Sequence, residues 1–454
     1  MYKRYESYKD SGIEWIGEIP EHWTDYKLKQ LFLLIGGNGF NEALQGKKEG
    51  DYPFYKVSDI NFGEPVISEA SNYVDRSDII AHRWNVIPKN SILMAKIGEA
   101  LRKNHRKVNN ADCIIDNNML ALIPRNQLID TWFAYYLFTK IDMDWYVNPG
   151  AVPSVNIRWL KNSRLFLMPE SEQINIVNFL DHKTSEIDFL IADKEELIKK
   201  LEEYKQSIIT EAVTKGLNPD VKMKDSGIEW IGEIPEHWST VQLRRLLRSG
   251  SEGIKIGPFG SQLKLDDLEE LGYKVYGQEN LIKNNFQIGK RFLSPNKFNE
   301  LDVYQILSGD LLISMMGTIG RSQIVPDDIE TGIMDSHLIR LRFIKSVYAT
   351  FIRDLFGGAY YVKYQTSMTS KGSIMAGLNS TIVKNIIVAL PPYKEQKELS
   401  NYIYEKSRLC ENLIGNIKEQ ILNLKQYRQS LIYEAVTGKI DVRDYQPERS
   451  EQLA

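Results

Sequence analysis

Residues Lys9–Trp23 read KDSGIEWIGEIPEHW, and Lys224–Trp238 repeat all fifteen without a change. Fifteen consecutive identities in a chain of ordinary composition mark an internal duplication. An internal repeat has to be placed before any local pattern is interpreted. The period of about 215 residues is far above solenoid or propeller lengths, so each copy is a domain-sized unit. Within the fifteen-mer, Asp10 and Ser11 offer capping oxygens and Ile19-Pro20 forces an extended residue before a turn. It reads as a compact loop with hydrophobic anchors, a clasp where a domain begins or a docking surface for a partner subunit.

Behind each fifteen-mer runs a mixed pattern. Pro53–Val57, Ser91–Ile97 and Asn118–Ile123 are short β-type runs, and Leu128–Thr139 has helical spacing. The second copy has matching landmarks. Ser91–Ala95, ending near Gly98, corresponds to Asp310–Ser314, ending near Gly317. Ile115–Met119 corresponds to Met334–Leu338, and Asn156 to Asn379. Between these landmarks the copies diverge, as a shared scaffold with two different targets would.

Both copies then change character. Ser171–Thr214 and Lys394–Thr437 contain no proline, and apolar residues step alternately by four and three. Ile187, Ile191, Ile198, Leu201 and Ile208 form the first seam; Ile414, Ile417, Ile421, Leu424 and Leu431 form the second, at an offset of 223. Polar residues occupy a few seam positions. This is a heptad pattern over about four repeats, in helices of roughly 65 Å. An amphipathic helix of that length needs a partner, which the other copy supplies. Antiparallel pairing needs no long return linker and predicts one globular domain at each end, related by an approximate two-fold axis. Globular domains of mixed strand and helix pattern at 1–168 and 224–390 thus alternate with helical spacers at 169–223 and 391–454. Gly216 and Gly438 are the expected helix stops.

Charge follows the same alternation. The chain carries a net −3, yet Thr24–Met168 sums to +3 and Ser239–Leu390 to +4, whereas Pro169–Met223 sums to −5. Two mildly basic blocks permit two anionic contacts. No run of eighteen apolar residues occurs and the N-terminus lacks an apolar core, so a cytoplasmic protein without a membrane partner is expected. Cys113 and Cys410 lie far apart and fit neither a disulfide framework nor a zinc site.

Catalytic motifs are missing. Leu390-Pro391-Pro392-Tyr393 resembles the Asn/Asp-Pro-Pro-Tyr loop of amino-methyltransferases, but leucine cannot accept the amino hydrogen bond. There is no glycine-rich methyl-donor loop after a strand and no phosphate-loop sequence. Glu395-Gln396-Lys397 echoes a nuclease E-x-K without an acidic partner at useful spacing, and the six histidines form no metal-binding pair. What remains are basic and amide clusters on loops. In the first copy these are Lys96 and the run Arg102, Lys103, Asn104, His105, Arg106, Lys107. In the second they are Ser261, Gln262 and Lys264 beside the Gly257–Gln262 loop, then Lys283, Asn284, Asn285, Arg321, Gln323 and His337. Such residues read base edges or hold phosphates. On this reading Arg102–Lys107 contacts phosphates, and alanine at Arg102, Lys103 and Arg106 should flatten the salt dependence of binding.

The repeated S-G-I-E-W-I-G-E-I-P-E-H-W phrase, the Gly257–Gln262 loop, the L-P-P–x–E-Q helix starts and the Y-[KR]-Q-S…E-A-V-T helix ends resemble the specificity subunit of type I restriction-modification systems. The resemblance spans essentially the whole chain. It implies the fold class α/β (α+β), with two target recognition domains, at 1–168 and 224–390, joined by an antiparallel coiled coil and each reading half of a split site in double-stranded DNA. It implies assembly with two methyltransferase subunits and with restriction subunits. It also implies that S-adenosylmethionine, ATP and Mg2+ are used by those partners, with no cofactor, metal or catalytic residue in this chain. The rival readings are a fused restriction-methylation enzyme remnant, opposed by the missing motifs, and a coiled-coil scaffold without a DNA role, opposed by the basic divergent domains.

If the helices set the spacing of the half-sites, their length is a ruler. One heptad added to both lengthens it by about 10 Å, matched by about three base pairs at roughly 3.4 Å each. Three pairs also rotate the second half-site by roughly 100°, which a supercoil of about 150 Å pitch cannot follow. Modification by the assembled complex should survive poorly, with a preferred gap longer by about one to three pairs. Full affinity at the original gap would assign the spacing to the methyltransferase subunits.

Overall fold

The fifteen-mer folds as a two-stranded hairpin in both copies. Tyr8–Asp10 pairs with Glu18–Pro20, and Met223–Asp225 with Glu233–Pro235, in one register. The computed structural model from which this is read describes residues 2–40, 42–61, 63–125, 128–315, 320–368 and 378–446; Gly317 lies outside them. The hairpin's turn is braced by Asp10 Oδ1 accepting from Gly12 N and by Ser11 N donating to Gly17 O, at 2.8 and 2.9 Å. Asp225, Gly227, Ser226 and Gly232 repeat both bonds at 2.9 and 3.0 Å. Gly12 and Gly17 sit at φ 68° and 66°, a region that costs other residues energy. Among the apolar residues of the two copies, Ile19, Trp23, Ile234 and Trp238 are buried, whereas Trp15 is half-buried and Trp230 exposed.

The chain divides into two units, Met1–Asp193 with Glu419–Ala454, and Lys194–Lys418. Each unit thus takes a globular part together with one half of each long helix. In the first unit an antiparallel sheet runs in the order Phe32–Gly36, Met119–Pro124, Ile92–Ala95, Arg106–Asn109, and Val66–Ile67 adds a parallel edge strand. In the second the order is Ile254–Ile256, Leu338–Leu341, Leu311–Ser314, Ser322–Ile324. A three-stranded sheet accompanies each. Tyr52–Tyr55 pairs parallel with Ile114–Ile115 and antiparallel with Asn72–Val74; Tyr273–Tyr276 does the same with Gly332–Met334 and Phe292–Leu293. The three β-type runs expected from the sequence are strands, and the helical run is the helix Thr131–Lys140. Asn156 and Asn379 cap equivalent short helices by accepting from Trp159 N and Ile382 N.

The strand after each hairpin pairs with the strand before each long helix: Thr24 faces Leu167, and Ser239 faces Leu390. Each globular part therefore begins and ends at one place, which sets the hairpin's last residues against the helix's first turn. The long helices are Glu170–Lys215 and Tyr393–Val436. Glu172 in the first turn accepts from Trp23 Nε1 at 3.1 Å and Tyr5 OH at 2.7 Å, and meets His22 Nε2 at 2.8 Å. Glu395 repeats this with Trp238 Nε1 at 3.0 Å and His237 Nε2 at 2.7 Å. The E-x-K echo is thus a structural carboxylate. The following glutamines hold the incoming loop. Gln173 accepts from Asp130 N and donates to Leu128 O and Met168 O. Gln396 accepts from Tyr348 N and donates to Ser346 O and Pro391 O.

The same hairpin receives the end of the other helix. Gly438, at φ 73°, packs so closely that a Cβ would lie 2.3 Å from Pro20 Cδ, and Tyr433 OH donates to Trp15 O at 2.6 Å. Gly216, at φ 77°, lies against Trp238 and Pro235. Within the first unit Asp188 pairs with Arg428 at 2.9 Å and His182 with Tyr445 at 2.6 Å, so one helix rises as the other falls. Within the second, Lys205 pairs with Glu411 while Ala212 and Val213 share a core with Leu399 and Ile403, again antiparallel. The seam follows the heptads. Ile187, Ile191, Ile208, Ile414, Ile417, Ile421 and Leu431 are buried, and Ile198, Leu201 and Leu424 are half-buried between exposed neighbours. Cys410 is buried on the seam; Cys113 is buried in the first unit, where lost solvation pushes its thiol up to about 12. Among the described residues no helix is long and apolar enough to cross a membrane.

Removing the Glu172 carboxylate strands the Tyr5 hydroxyl and the Trp23 indole N–H in the interior. At about 1–3 kcal/mol per orphaned buried group, Glu172→Ala should cost roughly 2–5 kcal/mol. Glu395→Ala, which orphans only the Trp238 N–H and the half-exposed His237, should cost less. Thermal unfolding of the two variants checks the order.

Candidate nucleic-acid interface

In each unit the central strands end at a tight turn packed on a glycine. Asp116 N donates to Tyr55 O at 2.9 Å, Asp116 Oδ1 accepts from Asn118 N at 2.7 Å, and Met119 N donates to Asp116 O at 2.9 Å. In the second unit Asp335 N donates to Tyr276 O at 2.8 Å, Asp335 Oδ1 accepts from His337 N at 3.0 Å, and Leu338 N donates to Asp335 O at 3.3 Å. A Cβ at Gly37 would lie 1.9 Å from Asp116 O, and one at Gly257 1.8 Å from Asp335 O. Only glycine allows the 36–40 and 256–260 loops to pass so close.

The second unit gathers most of its expected residues around this end. Ser261, Gln262 and Lys264 are exposed on the loop after Gly257, with Gln262 Oε1 accepting from Tyr304 OH at 2.9 Å. Lys283, Asn284 and Asn285 are exposed, and Asn284 takes φ 47°. Arg321 donates to Ile282 O at 3.0 Å, which ties that turn to the sheet. His337 is exposed on the Asp335 turn, and its carbonyl accepts from Met315 N at 2.9 Å. Gln323 is half-buried within its strand, opposite Leu312. Asn284, Arg321 and Gln323 also line a cleft of about 740 Å3. Its cations are Lys205, Arg321, Arg353, Lys363 and Arg408, against Asp354 and Glu411. An excess of positive side chains around a recess favours a polyanion.

The first unit requires a correction. Arg106 and Lys107 are not on a solvated loop: they lie in the strand Arg106–Asn109 and are 4% and 5% exposed. Arg106 donates to Asn104 Oδ1 and His105 O, and burial pushes its pKa down to about 9. Lys107 donates to the carbonyls of Gly63 and Glu64, and burial lowers its pKa as well. The charge run hides a period-two strand, opposite Met94 and Leu93. Asn104 is at φ 56° and donates to Thr139 O. His105 is half-buried and its pKa is lowered by burial and by Lys103, Lys107 and Arg106. Arg102 is exposed but paired with Glu99 and Asp144, at 3.1 and 3.3 Å. Lys103 alone of the run is exposed without an ionic partner among the described residues. Lys96 is half-buried just past the strand Ile92–Ala95, beside the Asp116 turn. Sequence reasoning passed over Asn38, Asn117 and Asn118, because the signal is the paired Gly and Asp landmarks rather than charge.

These placements change what alanine scanning should show. Arg106→Ala and Lys107→Ala should each lower stability by about 1–3 kcal/mol, the cost of orphaned buried acceptors and lost packing. Neither should change the slope of duplex affinity against salt. Lys103→Ala should leave the melting temperature alone; binding measured between 50 and 200 mM salt separates the two behaviours.

With the geometry in place, the relatives can be set beside it. The model of the type I restriction modification DNA specificity domain matches residues 20–200 and again 256–423. A putative type I restriction enzyme specificity subunit of Methanocaldococcus jannaschii, MjaX, is 26% identical, covering 98% of this chain and 99% of that one. The EcoKI specificity subunit of Escherichia coli is 20% identical, over 93% and 90%. Among solved structures, a chain from work on assembly and conformational transition of the type I R-M system aligns with TM-score 0.69 at 15% identity, covering 92% of this chain and 98% of that one. The HsdS subunit of Thermoanaerobacter tengcongensis aligns with TM-score 0.54 at 16% identity, over 93% and 98%. Two matches to one domain model, one in each copy of the repeat and together covering most of the chain, make this protein a member of the type I restriction-modification DNA specificity family.

Proposed function

We propose that the chain is the DNA-recognition subunit of a type I restriction-modification complex, each globular part reading one half of a bipartite duplex site. The observation that carries this is the duplication itself: one sheet-and-turn frame occurs twice, with different exposed side chains on it. A protein reading a single symmetric site would need one such frame and a dimer. Two copies of one frame carrying unlike side chains in a single chain suit an asymmetric, split target. The cationic cleft of the second unit supports a phosphate backbone as ligand.

Chemistry on the bound DNA belongs, in this reading, to partners: two methyltransferase subunits that bring S-adenosylmethionine, and restriction subunits that use ATP and Mg2+. The chain's part is to hold them at a chosen sequence. The decisive measurement is methyl transfer from labelled S-adenosylmethionine into a randomised duplex library. The chain assembled with its methyltransferase subunits should modify a motif made of two short blocks and an unread gap. The chain alone should transfer nothing. Transfer by the pure chain, or modification without a split motif, would overturn the proposal.

A further inference from the structure

The turns at Asp116 and Asp335 agree in more than outline. In both, the aspartate N–H is held by the neighbouring strand, and Oδ1 accepts from the second residue on. In both, that residue's carbonyl accepts from the position after the central strand: Lys96 N to Asn118 O at 2.7 Å, Met315 N to His337 O at 2.9 Å. Gly37 N and Gly257 N close each turn on Met119 O and Leu338 O, at 3.1 and 3.0 Å. Four backbone bonds, one bond to the aspartate carboxylate and a glycine contact thus fix the same loop twice. The two residues it presents are not the same. They are Asn117 and Asn118 in the first unit, both exposed, and Ser336 and exposed His337 in the second.

Neither asparagine side chain has a hydrogen-bond partner among the described residues. Ser336 Oγ lies 3.4 Å from His337 Nδ1, and His337 Nε2 has no partner among them. Beyond the 3.9 Å approach of His337 Nδ1 to Asp335 Oδ1, the fold gains nothing from these groups, since the aspartate, the glycine and the backbone make the turn. A rigid frame with unspent donors and acceptors is how a protein presents readout groups, because base-edge bonds need fixed geometry and free valences.

We propose that these turns are the base-discriminating elements of the two half-sites, Asn117 and Asn118 in one and Ser336 and His337 in the other. The proposal rests on the DNA-recognition reading above and adds which residues choose the bases. Their chemistry sets the ligand. A carboxamide donates and accepts side by side and matches the N6 and N7 edge of adenine in the major groove; a hydroxyl and an imidazole give single bonds to several edges. The first turn is accordingly assigned to an adenine-containing block. Lys96 stands beside the first turn where the second has Met315, while Arg291 pairs with Asp335 of the second turn at 3.1 Å.

The test uses the chain assembled with its methyltransferase subunits and a randomised duplex library, with modified sites read by sequencing. N117A/N118A should lower discrimination roughly 5- to 150-fold at one or two positions of one half-site, leaving the other half unchanged. S336A/H337A should do the reciprocal. S336N/H337N, which places the first pair on the second frame, should shift the second half-site toward adenine. All four positions are on a turn whose bonds are backbone and aspartate, so the variants should melt with the wild type. A split motif that survives all three variants, or relaxes equally in both halves, overturns the proposal and leaves the function standing. A wild-type complex without a split motif overturns the function itself.

Discussion

Everything in the chain hangs on a carboxylate at the start of each long helix. Glu172 and Glu395 sit in the first turn, where a negative charge is favoured by the helix dipole. Each takes an indole N–H and a histidine from the adjacent hairpin. The pairing welds three things that the chain separates by some 150 residues: the hairpin, the closing two-stranded ribbon and the helix. It also fixes where the helix points when it leaves the globular part. The neighbouring glutamine then binds three backbone groups of the loop alongside, so the first turn is anchored on two sides. This junction anchors the start of a 46-residue helix.

That seam is not strongly hydrophobic. Its centre is half-buried at Ile198, Leu201 and Leu424, and Thr184, Lys205, Ser407 and Arg428 interrupt it. The Asp188–Arg428 and Lys205–Glu411 pairs occupy equivalent places with their signs exchanged, as antiparallel repeats require. At such exposure each contributes no more than about 1 kcal/mol. Their value is in register: a slide by one heptad would separate both pairs. The ends of the helices do the firmer holding, through Gly438 against Pro20 and Gly216 against Trp238. Hence the fifteen-mer could not drift. Trp23 serves one helix start and another helix end at once, against Glu172 and Gly438, with His22 beside it on the first junction and Pro20 on the second.

What was legible in the sequence follows from this. An exact repeat, a heptad and a pair of glycine stops are signals that survive because packing on both sides enforces them, and they located both helices to within a residue. The hairpin within the fifteen-mer was less visible, since its strands are three residues long and read as loop. The run Arg102–Lys107 misled for a physical reason. Charge density in a sequence says nothing of solvent, and Arg106 and Lys107 find carbonyl and carboxamide oxygens inside the fold instead of water. Register makes the point sharper. Arg106 and Lys107 face Met94 and Leu93, while Ser322 and Gln323 face Ile313 and Leu312. The two copies thus fill the same strand positions with buried cations in one case and small or amide side chains in the other.

That contrast bears on how such a domain changes its target. On the fourth strand of the sheet Arg106 and Lys107 give way to Ser322 and Gln323, yet the Asp116 and Asp335 turns keep their hydrogen bonds. The frame therefore tolerates substitution beneath it because it is held by backbone and by its aspartate, which in the second copy Arg291 also pairs. A glycine contact closer than any Cβ could approach adds a steric constraint that no neighbouring substitution relaxes. Recognition residues on such a turn can be exchanged at little cost in stability, since they contribute nothing to it. Side chains deeper in the sheet, such as Lys107 with its two carbonyl partners, cannot be exchanged singly without orphaning a neighbour. Divergence at the exposed turn is thus nearly free, and divergence below it must proceed by compensated sets, which is the distribution of differences the two copies display.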